Sequence, residues 1–345
     1  MREREWPKVA IILLNWNGWQ DTIECLESVY QINYPNFDVI VVDNGSEDES
    51  ILKIKHYCEG AIEPKSEFFC YNKVNKPINI LEYTRSEVCK TIAQTRTDLP
   101  FNKNLTLIKN EKNFGFAEGN NIAIKYALNV LGSKYILMLN NDTVVDTEFL
   151  IELVKVVECD TKIGIIGPII YHYWAPNKIQ SAGVMLSWYT GKPIILRSNE
   201  ICSDDHNGLV GVDYVTGCAL LAKAELINNI GYLNPAYFAY WEEADWCIRA
   251  HKAGYRVICD QKSQIWHKGS STSKKLSGFH AYHVTRNKFW FMRQHATSKQ
   301  YFLFIIYFFG FHFLFTSMIY IMDQRDFGAF ISFLRGVKDG TTKYF

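Results

Sequence analysis

The chain has 345 residues with 37 basic and 36 acidic side chains, a formal charge of +1. Hydrophobic residues make up 48% and charged residues 21%, which excludes bulk disorder and leaves ample material for a core. The near-neutral balance excludes a general nucleic-acid binder, which needs a basic surplus to neutralise phosphates.

In chain order, the run 8–14, KVAIILL, is apolar and rich in β-branched residues, and predicts a buried strand. Residues 19–30 set Ile23, Leu26 and Tyr30 at helical spacing. Residues 37–42 predict a second buried strand that ends in Asp43-Asn44-Gly45-Ser46. Ser46 and Glu49 have the spacing of a capping box, which predicts a helix over 47–57. Strand, helix, strand, helix is the rhythm of an α/β sheet with parallel strands. Residues 58–104 interrupt it with Pro64, Pro77, Pro100 and only a weak helical pattern near 82–95, and read as a partly helical surface insertion. The rhythm resumes with a strand at 105–108, a helix at 116–131, a strand at 135–139, a helix at 147–158 and a strand at 163–170. Beyond 171 the pattern is mixed. A strand-like run at 212–222 precedes a short helix at 223–230. A helix at 242–253 has Gly254 placed to end it, and two short strand pieces follow at 256–259 and 264–266.

The window 301–322, YFLFIIYFFGFHFLFTSMIYIM, contains no Asp, Glu, Lys or Arg and is long enough to span a bilayer. Its aromatic side chains and His312 suit an interface or a protein groove equally well. Basic residues flank it on both sides, so charge gives no orientation. Residues 327–334 form a second apolar patch. The nine cysteines include no CxxC pair and read as scattered thiols in a reducing compartment. The start, MRERE, lacks the apolar stretch of a secretory signal. Neither the dinucleotide fingerprint GxGxxG nor the P-loop is present.

Polar residues recur just after the predicted strands: Asn15 and Asn17, Asp43 and Asn44, then Asn140, Asn141 and Asp142. In a parallel sheet those ends share one edge, where ligands bind, although each residue alone would serve as a turn or cap. Asp142 is the best candidate ligand for a hard divalent cation, with a diphosphate needed to complete the shell. Tyr240-Trp241-Glu242-Glu243-Ala244-Asp245 sets three carboxylates at a helix start. Capping is the ordinary explanation, but crowding and partial burial raise a carboxylate pKa and suit a general base. His267 alone is an ordinary histidine until a partner is found. Asn113–Asn121 forms a glycine- and amide-rich entry to a helix, open to close backbone approach by an anion.

The stretches VAIILLNWNG (9–18), VIVVDNGSEDES (39–50), NFGFAEGNN (113–121), YILMLNNDTVV (135–145), VTGCALLAK (215–223), YWEEADWCIRAHKAGYRV (240–257) and IWHKGSS (265–271), in that order, resemble glycosyltransferase family 2, especially its rhamnosyltransferase-like branch. The resemblance implies an α/β fold of the GT-A nucleotide-diphospho-sugar transferase type: a mostly parallel central sheet flanked by helices, followed here by a C-terminal apolar helical segment. It implies that Asn15, Asn17, Asp43 and Asn44 hold the nucleotide, and that Gly115, Asn120, Asn121 and Asn140 lie along the donor. Asp142 matches the last acidic residue of the family's Asp-x-Asp metal motif, whose first position is Asn140 here. His267 falls where some members place a further ligand for Mg²⁺ or Mn²⁺. Glu243 falls at the catalytic base, usually Asp in the family, with Glu242 and Asp245 as rivals; Trp241 would stack on a sugar face.

The expected function is inverting transfer from a UDP- or dTDP-sugar, rhamnose among the candidates, to a hydroxyl of a saccharide or lipid-linked acceptor in cell-surface polysaccharide assembly. The alternatives are a nucleotidyltransferase and a non-catalytic nucleotide-sugar-binding membrane protein. Residues 1–290 would form the transferase domain and 291–345 a membrane-associating region at the cytoplasmic face, with no nucleic-acid partner.

Overall fold

A computed structural model describes residues 6–93, 104–201, 208–269 and 277–343. The charged N-terminal stretch, part of the expected insertion, Cys202 and Ser270-Ser271 lie outside them.

The strands β1 (Val9–Asn15), β2 (Phe37–Asp43), β3 (Ile80–Thr84), β4 (Leu105–Lys109) and β5 (Tyr135–Asn140) form the parallel half of one sheet, in the order β5-β1-β2-β4-β3. Alternate residues of β1 enter opposite cores: Val9, Ile11 and Leu13 on one face, Ala10 and Ile12 on the other. That two-sided burial is why the strand reads as a continuous apolar run. Each fully buried aliphatic side chain contributes about 1.5–3 kcal/mol. Helices α1 (Trp19–Val29), α2 (Ser50–Glu59) and α5 (Phe149–Cys159) cover one face. The other carries α3 (Arg85–Ala93), α4 (Gly115–Asn129), α6 (Ala224–Ile230) and α7 (Glu242–Lys252).

The sheet continues through β12 (Ala219–Lys223), β7 (Ile163–His172), β13 (Arg256–His267) and β11 (Leu209–Gly211). Here β12 runs antiparallel to both β5 and β7. The short β6 (Thr143–Val145) pairs antiparallel with the end of β13, and β8 (Ala175–Ser181) with β7. A separate hairpin joins β9 (Val184–Ser187) to β10 (Lys192–Ile195).

Three local expectations are corrected. Ser46 caps no helix: α2 starts at Ser50 after Glu49, which makes no side-chain cap, while the Ser46 hydroxyl accepts from Asn15 Nδ2 and Asn17 N. Residues 58–104 are not wholly a surface addition, because β3 extends the sheet edge. The two pieces near 256–266 are one strand with an irregular register between Asp260 and Gln264.

The C-terminal region is helical: α8 (Ser277–His295), a long helix α9 (Ser298–Asp323) with π-helical turns, and α10 (Phe327–Thr342). The α8–α10 contact is close because Gly336 and Gly340 face α8. A Cβ at Gly336 would stand 2.7 Å from the Tyr282 carbonyl oxygen. Helix α9 is long and apolar enough to cross a membrane, and only 11% of its most apolar window is buried in the protein.

Candidate active site

The parallel strands deliver their C-terminal residues to one sheet edge, and the antiparallel β12 delivers its N-terminal neighbours, Gly217 and Cys218, to the same edge. The Asn140 N–H donates to the Cys218 carbonyl at 2.8 Å. At the β1 and β2 ends, the buried Asn15 donates Nδ2 to Asp43 Oδ2 at 2.8 Å. Asp43 Oδ1 accepts from the Ser46 N–H, and Asn17 Oδ1 accepts from the Glu47 and Asp48 amides. Thr22 Oγ1 donates to Asn15 Oδ1 at 2.8 Å and accepts from Asn141 Nδ2 at 2.9 Å. Asn141 is the chain neighbour of Asp142.

Because β6 and β13 pair, His267 stands opposite Thr143 and its ring meets Asp142: Nε2 to Oδ1 is 3.1 Å. The other nitrogen, Nδ1, faces Gln180 Oε1 at 2.7 Å. That contact fixes Nδ1 as the donor and turns Nε2 toward the carboxylate, the usual arrangement behind a metal-bound histidine. Burial disfavours a charged ring, but Cys218 and Asp142 outweigh it, and His267 lies well above its ordinary pKa. The Cys218 thiol is itself raised by burial.

The donor chemistry fits a divalent cation. One carboxylate oxygen and one imidazole nitrogen at adjacent positions, each about 2.1 Å from an ion, would stand about 3 Å apart. Among the described residues no group of three or more His, Cys, Asp or Glu gathers for a metal, so a bound diphosphate would have to complete the shell. Next to this pair, Lys268 bridges Asp21 (2.6 Å) and Glu24 (2.5 Å), so its charge is already engaged.

From His267 the contacts pass to the Cys218 thiol, and the neighbouring Gly217 amide faces the Glu243 carboxylate. The loop before α7 is strained: Phe238, Tyr240 and Trp241 have φ of 66°, 69° and 76°. Such conformations cost about 1–3 kcal/mol each and persist only where neighbours enforce them. The buried Asn287 of α8 does so, pointing Nδ2 at the carbonyls of Tyr237, Ala239 and Tyr240 at 2.8–2.9 Å. Arg286 holds the carbonyls of Ala236 and Tyr237.

The three candidate bases differ sharply. Asp245 is fully buried and ion-paired with Arg249 Nε at 2.8 Å and His295 Nε2 at 2.7 Å. It is a structural ion-pair centre, which corrects its place among the bases. Glu242 is only 4% exposed and its Oε2 has no hydrogen-bond partner; burial and the neighbouring Glu243 hold its pKa well above the usual carboxylate range. Glu243 is half-buried, so it can meet a ligand. Burial raises its pKa against the opposing pull of the amides of Glu243, Ala244, Trp241 and Gly217, and its Oε2 also lacks a hydrogen-bond partner.

The other expected donor residues also have partners within the protein. Trp241 is buried with its ring 4.9 Å from that of Phe291, so it packs the core rather than offering a face to sugar. Asn44 is consumed by Asn113, Gly115, Asn110 and Phe114. Asn121 spends both ends of its amide on the Leu233 backbone. Gly115 has φ +82°, and a Cβ there would meet the Phe238 carbonyl at 2.5 Å, so its glycine serves packing. Asn120 is buried and donates to the Phe116 carbonyl, and Asn140 contributes through its backbone.

Thr22, Ser46, Gln180, Gly217 and Cys218 were missed as site residues. Lys268, adjacent to His267, could have been suspected; Gln180 carries no signal in the sequence. A cavity of about 610 Å³ opens farther out, between Arg85, Cys89, Lys109 and Asn110, and none of the expected site residues lines it.

The glycosyl transferase family 2 model matches residues 10–76 and 85–218, more than half of the chain. The low-salt glycan biosynthesis hexosyltransferase Agl10 of Haloferax volcanii is 28% identical over 182 residues, 51% of this chain. The match spans 56% of that relative, little more than half of its length. A mannosyltransferase of Pyrobaculum calidifontis, solved with GDP-Man and Mn²⁺, superposes with a TM-score of 0.54 at 13% identity, over 99% of this chain and 77% of that one. TarS 1-349 of S. aureus superposes with a TM-score of 0.53 at 14% identity, over 96% of this chain and 81% of that one. GalNAc-T7, solved with UDP, GalNAc and Mn²⁺, reaches 0.52 at 12% identity, over 91% and 58%. The fold is the GT-A fold.

Proposed function

We propose, from the premise that this chain belongs to glycosyl transferase family 2, that it transfers a sugar with inversion from a UDP- or dTDP-linked donor to a hydroxyl of a saccharide or lipid-linked acceptor. The observation that carries this reading is the line of contacts and chain neighbours from Asp43 through Asn15, Thr22, Asn141, Asp142, His267, Cys218 and Gly217 to Glu243. A hydrogen-bonded polar cradle lies at one end. A carboxylate with a raised pKa lies at the other, at a strained helix start.

In this mechanism Asp43, oriented by Asn15 and Ser46, receives the nucleoside. Glu243 accepts the proton of the acceptor hydroxyl as that oxygen attacks the anomeric carbon, and the bond to the diphosphate breaks. A base works best with its pKa lifted toward the working pH, and burial of Glu243 supplies that. Asp142 and His267 would hold Mg²⁺ or Mn²⁺, which when bound supplies positive charge against the leaving diphosphate. Gln180 keeps the His267 ring in register. The exposed apolar face of α9 would keep the enzyme at a membrane, at its cytoplasmic face, where surface polysaccharide acceptors are assembled.

The test is product identity. The full-length protein, given a panel of nucleotide sugars and Mn²⁺, is expected to release nucleoside diphosphate, and chelation should suppress it. A matched panel of nucleoside diphosphates should raise the unfolding temperature by mass action. Release of pyrophosphate from a nucleoside triphosphate, or stabilisation by no nucleoside diphosphate, would sink the reading.

A further inference from the structure

The cavity of about 610 Å³ between Arg85, Cys89, Lys109 and Asn110 adjoins the Asp43 cradle, although no residue of the cradle lines it. Asp43 at the end of β2 pairs with Lys109 of β4, and Lys109 pairs with Thr84 of β3, so three strand ends stand in a row. Neighbouring strands lie about 4.8 Å apart, which places the cavity about 5–10 Å outward from Asp43. The Asn110 N–H donates to the Asp43 carbonyl at 2.9 Å. A ligand with one end on Asp43 therefore reaches the cavity with the other. Its outer wall is particular to this chain: residues 77–84, which carry β3, fall between the two stretches matched to the family.

A chain of three asparagines fixes what the cavity offers. The Gly115 N–H donates to Asn113 Oδ1 at 2.8 Å, and Asn44 Nδ2 donates to the same oxygen at 3.0 Å. Asn44 Oδ1 is thereby the acceptor, and it takes Asn110 Nδ2 at 3.0 Å and the Phe114 N–H at 3.2 Å. Each amide sets the orientation of the next, and Asn110 is left with its Oδ1 as an acceptor only. Asn110 is 7% exposed, and its Oδ1 has no hydrogen-bond partner among the described residues. A buried acceptor without a donor is costly, so it calls for a ligand that supplies an N–H or O–H.

The cavity also holds a loosely engaged donor. Arg85 Nη1 stands 3.4 Å from Glu111 and Nη2 3.5 Å from Glu118, both beyond the usual hydrogen-bond range, and its guanidinium lies 4.0 Å from the centre of the Phe114 ring. Lys109 is held more closely, at 3.1 Å from Glu82. One fixed acceptor beside one available donor is the complement of a ring N–H next to a carbonyl. Uracil and thymine carry N3–H between two carbonyls. Cytosine has a bare N3 beside an amino group, which would set a lone pair against Asn110 Oδ1 and a donor against Arg85.

We propose that this cavity selects the base of the donor nucleotide: Asn110 Oδ1 accepts the ring N–H of uracil or thymine, and Arg85 donates to the carbonyl beside it. The inference rests on the glycosyl-transfer reading and names the residues that set its base specificity. Asp43 fixes where the nucleoside sits, and the wall added by β3 and the start of α3 decides which pyrimidine is admitted.

To test it, the full-length protein is titrated calorimetrically, with Mn²⁺ present, against UDP and CDP and against dTDP and dCDP. Within each pair the sugar is the same and the base differs mainly at the edge facing Asn110. The tighter of UDP and dTDP is expected to bind about tenfold to a hundredfold more tightly than its cytosine counterpart. Asn110→Ala should bring the two members of that pair to the same affinity. Arg85→Gln should weaken the uracil or thymine nucleotide about fivefold to tenfold and leave the cytosine nucleotide unchanged. Lys90→Gln, an exposed charge on the same helix, should change neither. Unfolding temperatures check that each variant is folded, and Arg85→Gln, at a partly exposed position, carries the test if Asn110→Ala does not fold. Equal wild-type affinities within both pairs overturn the proposal, as does a preference that survives either variant in full. Tighter binding of GDP or ADP than of UDP and dTDP overturns it as well. If nucleoside diphosphates bind without choosing between the bases, only this inference fails; if none binds, the transfer reading fails with it.

Discussion

The two ends of the site are built on opposite principles. At the Asp43 end the polar groups satisfy one another: Asn15, Thr22, Ser46 and Asn17 each hold at least one specific partner. At the Glu243 end two neighbouring carboxylates each keep a buried oxygen without a hydrogen-bond partner, and three non-glycine residues before them occupy the left-handed region. A saturated cradle is rigid and suits recognition of a fixed ligand such as a nucleotide. A strained and under-satisfied carboxylate pair is costly to stability and suits proton transfer. The comparison predicts that damage at one end leaves the other functional.

Glu243→Gln should sharpen the contrast most. Turnover should fall about 10²–10⁴-fold, the usual contribution of a general base, while calorimetric binding of the nucleoside diphosphate stays unchanged. Loss of both would merge the two ends into one unit. Asp245→Ala should instead act on folding, because it strands Arg249 and His295. Breaking a buried ion pair costs about 3–5 kcal/mol, readable by urea unfolding, and a variant of wild-type stability would return Asp245 to the list of bases. Asn287→Ala should release the strained loop and lower kcat about tenfold to a hundredfold without altering nucleotide affinity. A fall in stability alone, with kcat intact, would make Asn287 a packing residue only.

The smallest effect concerns Glu242. Its pKa in the folded protein is raised, so the native state holds the proton more tightly than the unfolded chain. Stability is then greatest at low pH and is lost as pH rises through the unfolded value of about 4.3 toward the raised one. Glu242→Gln should flatten that loss, gaining about 1 kcal/mol on the wild type near neutrality. A thermal-melt series from pH 4 to 8 showing parallel curves would count against a buried, protonatable Glu242.

Much of this was legible in the sequence, for a physical reason. Parallel strands end on one edge, so polar residues after apolar runs converge, and Asp43, Asp142 and Asn15 were visible that way. The apolar length of α9 was equally plain. Partners set by antiparallel strands or by distant helices were not. Gly217 and Cys218 reach the site because β12 runs backwards through the sheet, and Gln180 because β8 folds against β7. Asp245 looked like a rival base because its partner His295 lies 50 residues on, in a helix whose docking the sequence does not specify. Trp241 looked like a sugar platform because nothing local reveals Phe291 above it. The strand β3 hid inside a proline-interrupted segment, since an edge strand needs only one buried face.

The most direct check on the account is the pH dependence of single-turnover sugar transfer by the wild type. A base whose pKa is raised must lose its proton before it can act, so the rate should climb with pH through a midpoint above the ordinary Glu value of about 4.3. That rise with pH should be missing from the residual rate of Glu243→Gln. A wild-type rate that stays flat down to that ordinary value, or a rise that persists in the variant, would contradict the assignment of Glu243 as the proton acceptor.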